Sequence, residues 1–240
     1  MLLCQRQNVK TGARYGAGTE RLGLVMKIAV IGTGNVGSAL GSSFSKAGNE
    51  VVFAGRDAGK ARLVASSVGA ASAATPIDAV AGADVVVLAV PFAAAERVAA
   101  EIASAAAGKV VIDATNPLKP DYSGLATGNG PSGAERLAKL LPGARVVKAF
   151  NTVFASNQAD PSGQGTVLDA LYATDDEPAG AIVAELASSI GFRPVKVGPL
   201  AAARELEGLA WLNIRLQMLT NGAWQTAYVL VAPPAGAIAA

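Results

Sequence analysis

The chain contains no histidine. That absence removes Ser-His-Asp and Cys-His catalysis, a histidine general base and any zinc site built on imidazole. It leaves open hydride transfer between two bound cofactors, because there the cofactors carry the reactive atoms. Cysteine is nearly absent too: Cys4 stands alone. No internal disulfide can form, and a reducing, cytoplasmic setting is expected. Neither sign of charge dominates. The 20 basic and 18 acidic residues leave a net charge of +2, which gives no reason to expect nucleic acid as a partner. Long apolar runs are missing as well. The longest, 85–95, is interrupted by Pro91 and stops at Glu96, too short to cross a membrane. The tail 228–240 is apolar but also short, and Pro233-Pro234 breaks it. The mean hydropathy of +0.37 comes largely from alanine and valine in short runs.

What remains is 240 residues, 51% of them hydrophobic, enough for one large domain or one domain with an appendage. Residues 1–25 differ from the rest. They hold Arg6, Lys10, Arg14 and Arg21 and several glycines. They lack the apolar core that a signal peptide needs. Met26 sits immediately before the first strand pattern. The expectation is that Met26 is the natural start and that 1–25 is an extension without a fold.

The stretch 26–41 organises the chain. An apolar strand over 28–31 runs into Gly32-Thr33-Gly34-Asn35-Val36-Gly37, which fits G-x-G-x-x-G. Gly32 permits the turn out of the strand, Gly34 bares the backbone to a pyrophosphate, and Gly37 lets a helix pack closely. The free N–H groups and the dipole at that helix start suit a diphosphate. A helix is expected over 38–47, with Gly48 closing it. A second strand follows at 51–54, completing a βαβ unit.

The alternation continues. Helix 59–67, strand 70–73, a small helix 77–81 behind Pro76, strand 83–90, helix 93–106 and strand 109–113 follow in order. The loop 119–132 is rich in Gly and Pro. Then come a helix from Ser132 or Gly133 to Leu141, and strand 145–150. Such a pattern predicts an α/β fold with a doubly wound parallel sheet of order 3-2-1-4-5-6. Residues 155–166 read as a connection. Strand 167–173, helix 175–190, strand 193–197 and a long helix over 201–219 form a small C-terminal extension. In that last helix Leu206, Leu209, Leu212, Leu216 and Leu219 step by three or four. The stripe reads as core or dimer interface first, and as a wall of the active site second. The expected division is 1–25, then 26–154 as the dinucleotide-binding Rossmann domain, then 155–240 completing an acceptor site.

Ligands of open parallel sheets sit at the carboxyl ends of the strands. Those ends offer Thr33, Asn35 and Val36; Gly55, Arg56 and Asp57; Val90, Pro91 and Phe92; Thr115, Asn116 and Pro117; and Asn151, Thr152 and Val153. After the second strand, NAD-binding proteins place an acid to hold the ribose hydroxyl. Here Gly55-Arg56 stands instead. Arg56 can fork onto a 2′-phosphate, and Lys60 adds a point charge one turn later. The reading is NADP(H) over NAD, with Asp57 as the opposing feature. Pro91-Phe92 lies along the nicotinamide side or simply ends a strand. Thr115-Asn116 and Asn151-Thr152 offer hydroxyl and amide groups, or ordinary turns. No residue is named as a catalytic acid or base.

Taken together, Gly32–Gly37, Ala54-Gly55-Arg56, the segment 86–91, Asp113-Ala114-Thr115-Asn116-Pro117, Lys148-Ala149-Phe150-Asn151-Thr152 and the segment 198–207 fall in a familiar order. The chain resembles the NADPH-dependent reductases of the deazaflavin coenzyme F420, and the predicted dinucleotide-binding enzymes around them, over about 26–225. It is also similar to the cytosolic domain of membrane ferric reductases, including an Arg-Glu pair like Arg204-Glu205. The resemblance implies NADPH across the glycine turn, Arg56 on its 2′-phosphate, and the nicotinamide near Pro91, Thr115 and Asn116. It further implies a deazaflavin or flavin stacked against that ring. Three functions stay open: transfer to a deazaflavin, reduction of another small acceptor (flavin, quinone or carbonyl), and a non-enzymatic NADP sensor. A homodimer through the C-terminal helix is a further expectation.

Overall fold

In the computed structural model, residues 25–232 are described. The expected extension, apart from Val25, lies outside the described residues. Strands β1 (Lys27–Ile31), β2 (Glu50–Ala54), β3 (Ala71–Ser72), β4 (Val85–Leu88), β5 (Val110–Asp113), β6 (Arg145–Ala149), β7 (Asp169–Ala173) and β8 (Arg193–Gly198) build one sheet. Its order is β3-β2-β1-β4-β5-β6-β7-β8. The helices are α1 (Asn35–Lys46), α2 (Ala58–Ser67), α3 (Pro76–Ala81), α4 (Phe92–Ala106), α5 (Gly133–Leu140), α6 (Ala155–Ala159), α7 (Glu177–Ser189) and α8 (Ala203–Thr220).

Central strands such as β4 and β5 are apolar throughout or nearly so because both faces are covered. Ile28 and Val30 point into one core with Leu40, Phe44, Ala61 and Val183, so α1, α2 and α7 line that side. Ala29 and Ile31 join Val80, Val98, Ile102 and Leu137 on the other, beneath α3, α4 and α5. The switch in strand order lies between β1 and β4, which is where a doubly wound sheet opens a crevice.

Four departures from the sequence reading matter for the site. First, α1 starts at Asn35, not 38, with Gly34 as its N-cap; the turn is tighter than the pattern implied. Second, the connection 155–166 contains α6, which packs on α1. Ser43 Oγ donates to the Gln158 carbonyl at 2.7 Å, so a five-residue polar helix is held by contacts rather than by propensity. Third, β7 runs antiparallel to β6, although β8 is parallel to β7. The link from β6 to β7 packs its helix α6 on α1 before the chain re-enters the sheet beside β6 in the opposite direction.

Fourth, the leucine stripe of α8 is not core beyond its first turns. Leu206 is buried, while Leu212, Leu216 and Leu219 are 50%, 45% and 73% exposed. The inward face carries Glu207, Ala210, Asn213, Ile214 and Gln217. Its polar members take up the segment that follows the helix. Gln217 Nε2 donates to Thr226 Oγ1 at 2.8 Å, and Gln217 Oε1 accepts the Trp224 N–H at 2.8 Å. Buried backbone needs such partners, and the leucines are turned outward as a result.

Candidate active site

The glycine turn shows a steric reason for Gly32 and for Gly37. Gly32 has φ +129°, and a Cβ there would lie 2.2 Å from the Ala89 carbonyl oxygen. A Cβ on Gly37 would lie 2.0 Å from the Gly32 carbonyl oxygen, so α1 rests directly on the turn. A Cβ on Gly34 would meet nothing within 4 Å. Its space faces a crevice, not the protein interior. Asn35 and Val36 follow as the first residues of α1, whose leading N–H groups have no intrahelical partner.

That crevice has a volume of about 570 Å³. Gly32, Thr33, Gly34, Gly55, Arg56, Lys60, Val90 and Pro91 line it. Thr75, Arg97 and Glu101, to which the sequence reading gave no part in the site, line it as well. Arg97 and Glu101 pair at 3.4 Å along α4. Arg56 and Lys60 are exposed to the crevice rather than folded onto the body. The Asp57 carboxylate is engaged: Oδ1 accepts the Lys60 N–H at 3.0 Å and caps α2. The opposing feature of the sequence therefore has a structural duty of its own.

Thr115, Asn116 and Asn151 do not line this crevice. They gather at the neighbouring carboxyl ends of β5 and β6. Asn116 Nδ2 donates to the Asn151 carbonyl at 3.0 Å. Asn151 Nδ2 donates to Asn116 Oδ1 and to the Leu206 carbonyl, each at 3.0 Å. The two strand ends and α8 are thereby tied together. Thr115 Oγ1 and Asn151 Oδ1 are buried and take no hydrogen bond from the protein. A buried acceptor left unmatched costs about 1–3 kcal/mol, so these atoms mark a place suited to a polar ligand group.

The turn after β6 is held under strain. Phe150 has φ +63°, a conformation that a bulky side chain rarely adopts. Its ring is locked edge-on against Phe44 and Phe192, at centroid distances of 6.0 and 6.3 Å. Gln158 Nε2, from α6, donates to the carbonyls of Phe150 and Val153 at 3.0 and 2.9 Å. Beneath the turns, Lys148 of β6 pairs with Asp113 of β5, its register partner, at 2.9 Å and with Glu207 of α8 at 3.2 Å. Sequence reading assigned no role to Phe150, Gln158, Lys148, Asp113 or Glu207. The available signal was a lysine and an aspartate inside two apolar strands.

At the rim, the loop 119–132 is fastened by Arg204, which donates to the carbonyls of Asn129 at 3.3 Å and of Gly130. Ser132 caps α5 in a reciprocal pair with Glu135. The Ser132 hydroxyl and N–H hold the Glu135 carboxyl below its ordinary value.

A bare glycine turn under the switch point, a helix N-terminus above it and two exposed cations beside the second strand define a dinucleotide-binding protein of the doubly wound class. Comparison with known proteins narrows this. The family model for NADP oxidoreductase, coenzyme F420-dependent, matches residues 27–117. The F420-dependent NADP reductase of Methanothermobacter thermautotrophicus is 40% identical over 211 residues, covering 81% of this chain and 90% of that protein. A crystal structure from Arthrobacter sp. FB24, assigned as an F420-dependent NADP reductase, has a TM-score of 0.79 at 30% identity and covers 86% of this chain and 100% of that one. The metalloreductase STEAP3 of Rattus norvegicus is 30% identical over 76% of this chain but only 36% of its own length. Among the described residues no helix is long and apolar enough to cross a membrane. The chain belongs to the family of F420-dependent NADP reductases.

Proposed function

We propose that this chain is an oxidoreductase that moves a hydride between NADP(H) and coenzyme F420. The observation that carries the proposal is the crevice beside Gly34, lined by Arg56 and Lys60, with one oxygen of the Asp57 carboxylate, which also lines the crevice, engaged in capping α2. In this reading, Gly32, Thr33, Gly34, Asn35, Val36 and Gly37 hold the diphosphate through backbone N–H groups and the α1 dipole. Gly55 keeps the approach clear, and Arg56 and Lys60 take the 2′-phosphate. Val90 and Pro91 wall the middle of the dinucleotide. Thr115, Asn116 and Asn151 hold the carboxamide of its reacting end, with Thr115 Oγ1 and Asn151 Oδ1 as the buried acceptors that lack a protein partner. When bound, the nicotinamide and the deazaflavin supply the donor and acceptor carbons of the hydride. The protein needs no imidazole for this: it aligns, desolvates and excludes water. The arrangement fits 26–154 as the cofactor half and 155–240 as the part that completes the acceptor site, with α8 and the Arg204-fastened loop as its cover.

The test is to mix the protein with NADPH and, separately, F420, a flavin and a quinone, and to follow loss of nicotinamide absorbance. Turnover with F420 is expected. Turnover with a flavin alone would reassign the acceptor. Tight NADPH binding with no turnover would make the chain a sensor.

The same reading places the enzyme in the cytoplasm, supported by its single cysteine. It also makes the enzyme a homodimer, with the exposed Leu212, Leu216 and Leu219 face of α8 as the seam. Gel filtration is expected to show a dimer, and Leu216→Glu to convert it to monomer. A wild-type monomer would end that part of the proposal.

A further inference from the structure

Lys148 is fully buried, and so are the carboxylates of Asp113 and Glu207 that surround it. Such a cluster is expensive: well-packed apolar residues in its place would often stabilise a fold as well or better. Its geometry points to a different purpose. Lys148 Nζ donates to Asp113 Oδ2 at 2.9 Å and to the Thr115 carbonyl at 2.6 Å. Asp113 Oδ1 accepts the Thr115 N–H at 2.9 Å. Both backbone polar groups of Thr115 are thus clamped by one ion pair. Glu207 carries the clamp outward. Its carboxylate lies 3.2 Å from Lys148 Nζ and accepts the N–H groups of Gly133 and Ala134, at 3.1 and 3.3 Å, in the first turn of α5. The Thr115 turn, α5 and α8 are held in one polar network. The hydroxyl of the clamped residue, Thr115 Oγ1, is left buried without a protein partner.

We infer that Lys148, with Asp113 and Glu207, is a positioning residue for the reacting end of the dinucleotide: it fixes the turn that presents Thr115 Oγ1 and Asn116. The inference rests on the NADP reading above and adds to it that the charges act through Thr115, without touching the ligand. Clamping both peptide groups beside an unpartnered acceptor limits the angular freedom of whatever the acceptor binds. Positional control of that kind governs hydride transfer steeply, since errors near 1 Å can cost about a hundredfold in rate.

Two ligands separate positioning from general damage. Adenosine 2′,5′-bisphosphate carries the phosphorylated adenosine without the nicotinamide, and NADPH carries both. Their affinities are measured by calorimetry on the wild type, on Lys148→Met, and on the uncharged set Lys148→Met with Asp113→Asn and Glu207→Gln. The last avoids stranding buried carboxylates. Wild type is expected to bind NADPH more tightly than the bisphosphate. The variants should lose about tenfold for NADPH, the scale of one lost buried hydrogen bond, while bisphosphate affinity holds within about twofold. Equal weakening of both ligands, or no weakening of NADPH, overturns this inference alone. So does failure of both variants to fold, or a wild type that gains nothing from the nicotinamide half. A wild type that binds neither ligand overturns the NADP reading itself and this inference with it.

Discussion

The two ends of the proposed site are built on opposite physical terms. At the adenosine end, the recognition groups are exposed: Arg56 and Lys60 reach from the surface into an open crevice, and Gly34 presents bare backbone. At the reacting end, Thr115 and Asn151 are buried, cross-tied through Asn116 and the Leu206 carbonyl, and backed by a buried ion cluster. Exposed cations beside an anion supply attraction that tolerates motion. A clamped polar cluster supplies geometry. The first end is suited to choosing and holding the nucleotide, the second to aiming it.

The substitution expected to break this contrast most severely is Gly34→Val. Nothing lies within 4 Å of a Cβ there, so the fold should survive, with a melting temperature near that of the wild type. The side chain would occupy the diphosphate approach and weaken NADPH by about a hundredfold or more, equivalent to ~2.7 kcal/mol. A normal NADPH titration curve for this variant would remove the glycine turn from the account.

Arg56→Ala comes next. A charge-assisted hydrogen bond is worth about 1.5–3 kcal/mol, or ~10–100-fold in affinity. That loss should fall on NADPH and spare NADH. Thr115→Val sharpens the other side of the comparison. It should lower the rate of hydride transfer by roughly tenfold, leaving the affinity for adenosine 2′,5′-bisphosphate untouched. If instead the bisphosphate is weakened and the rate is not, the two ends are not separate devices.

The smallest effect lies away from the site, where a partly exposed pair can be compared with the buried one. Arg145 forks onto Asp176 at 2.8 and 2.7 Å. This hydrogen bonding, helped by the Ala179 N–H at the start of α7, pulls the Asp176 carboxyl from 3.8 down to about 2. A depressed carboxyl stabilises the fold above its unfolded value, and that stabilisation is lost as pH falls through the folded one. Asp176→Asn should therefore melt slightly below the wild type at neutral pH. The gap should close between about pH 3.8 and about pH 2. A gap that persists at the acid end would mean the pair is not its source.

Strand order, the glycine turn and the positions of most helices could be read from the sequence, because hydrophobic period and glycine placement are local signals. The antiparallel β7 and the short α6 could not. Residues 155–159 have no apolar period, and their helix exists because Gln158 and Ser43 fasten it. The leucine spacing of α8 could not tell core from interface either. It is regular, but Asn213 and Gln217 bind the chain's own return segment and set which face turns inward. At the candidate site, the residues next to strand ends could be named from the sequence. The supporting ones could not, since Asp113, Lys148 and Glu207 meet only through sheet register and helix packing. Asp57, the feature weighed against NADP, caps α2 through one carboxylate oxygen while it lines the crevice, a double placement that the sequence does not reveal.

The central claim is that a 2′-phosphorylated dinucleotide is selected at Arg56 over the open Gly34 turn. Calorimetric titration of wild type and Arg56→Ala with NADPH and NADH tests it directly. The account predicts a strong wild-type preference for NADPH that the substitution largely erases, with NADH affinity little changed. A wild type that binds both nucleotides alike, or a substitution that weakens both equally, would contradict it.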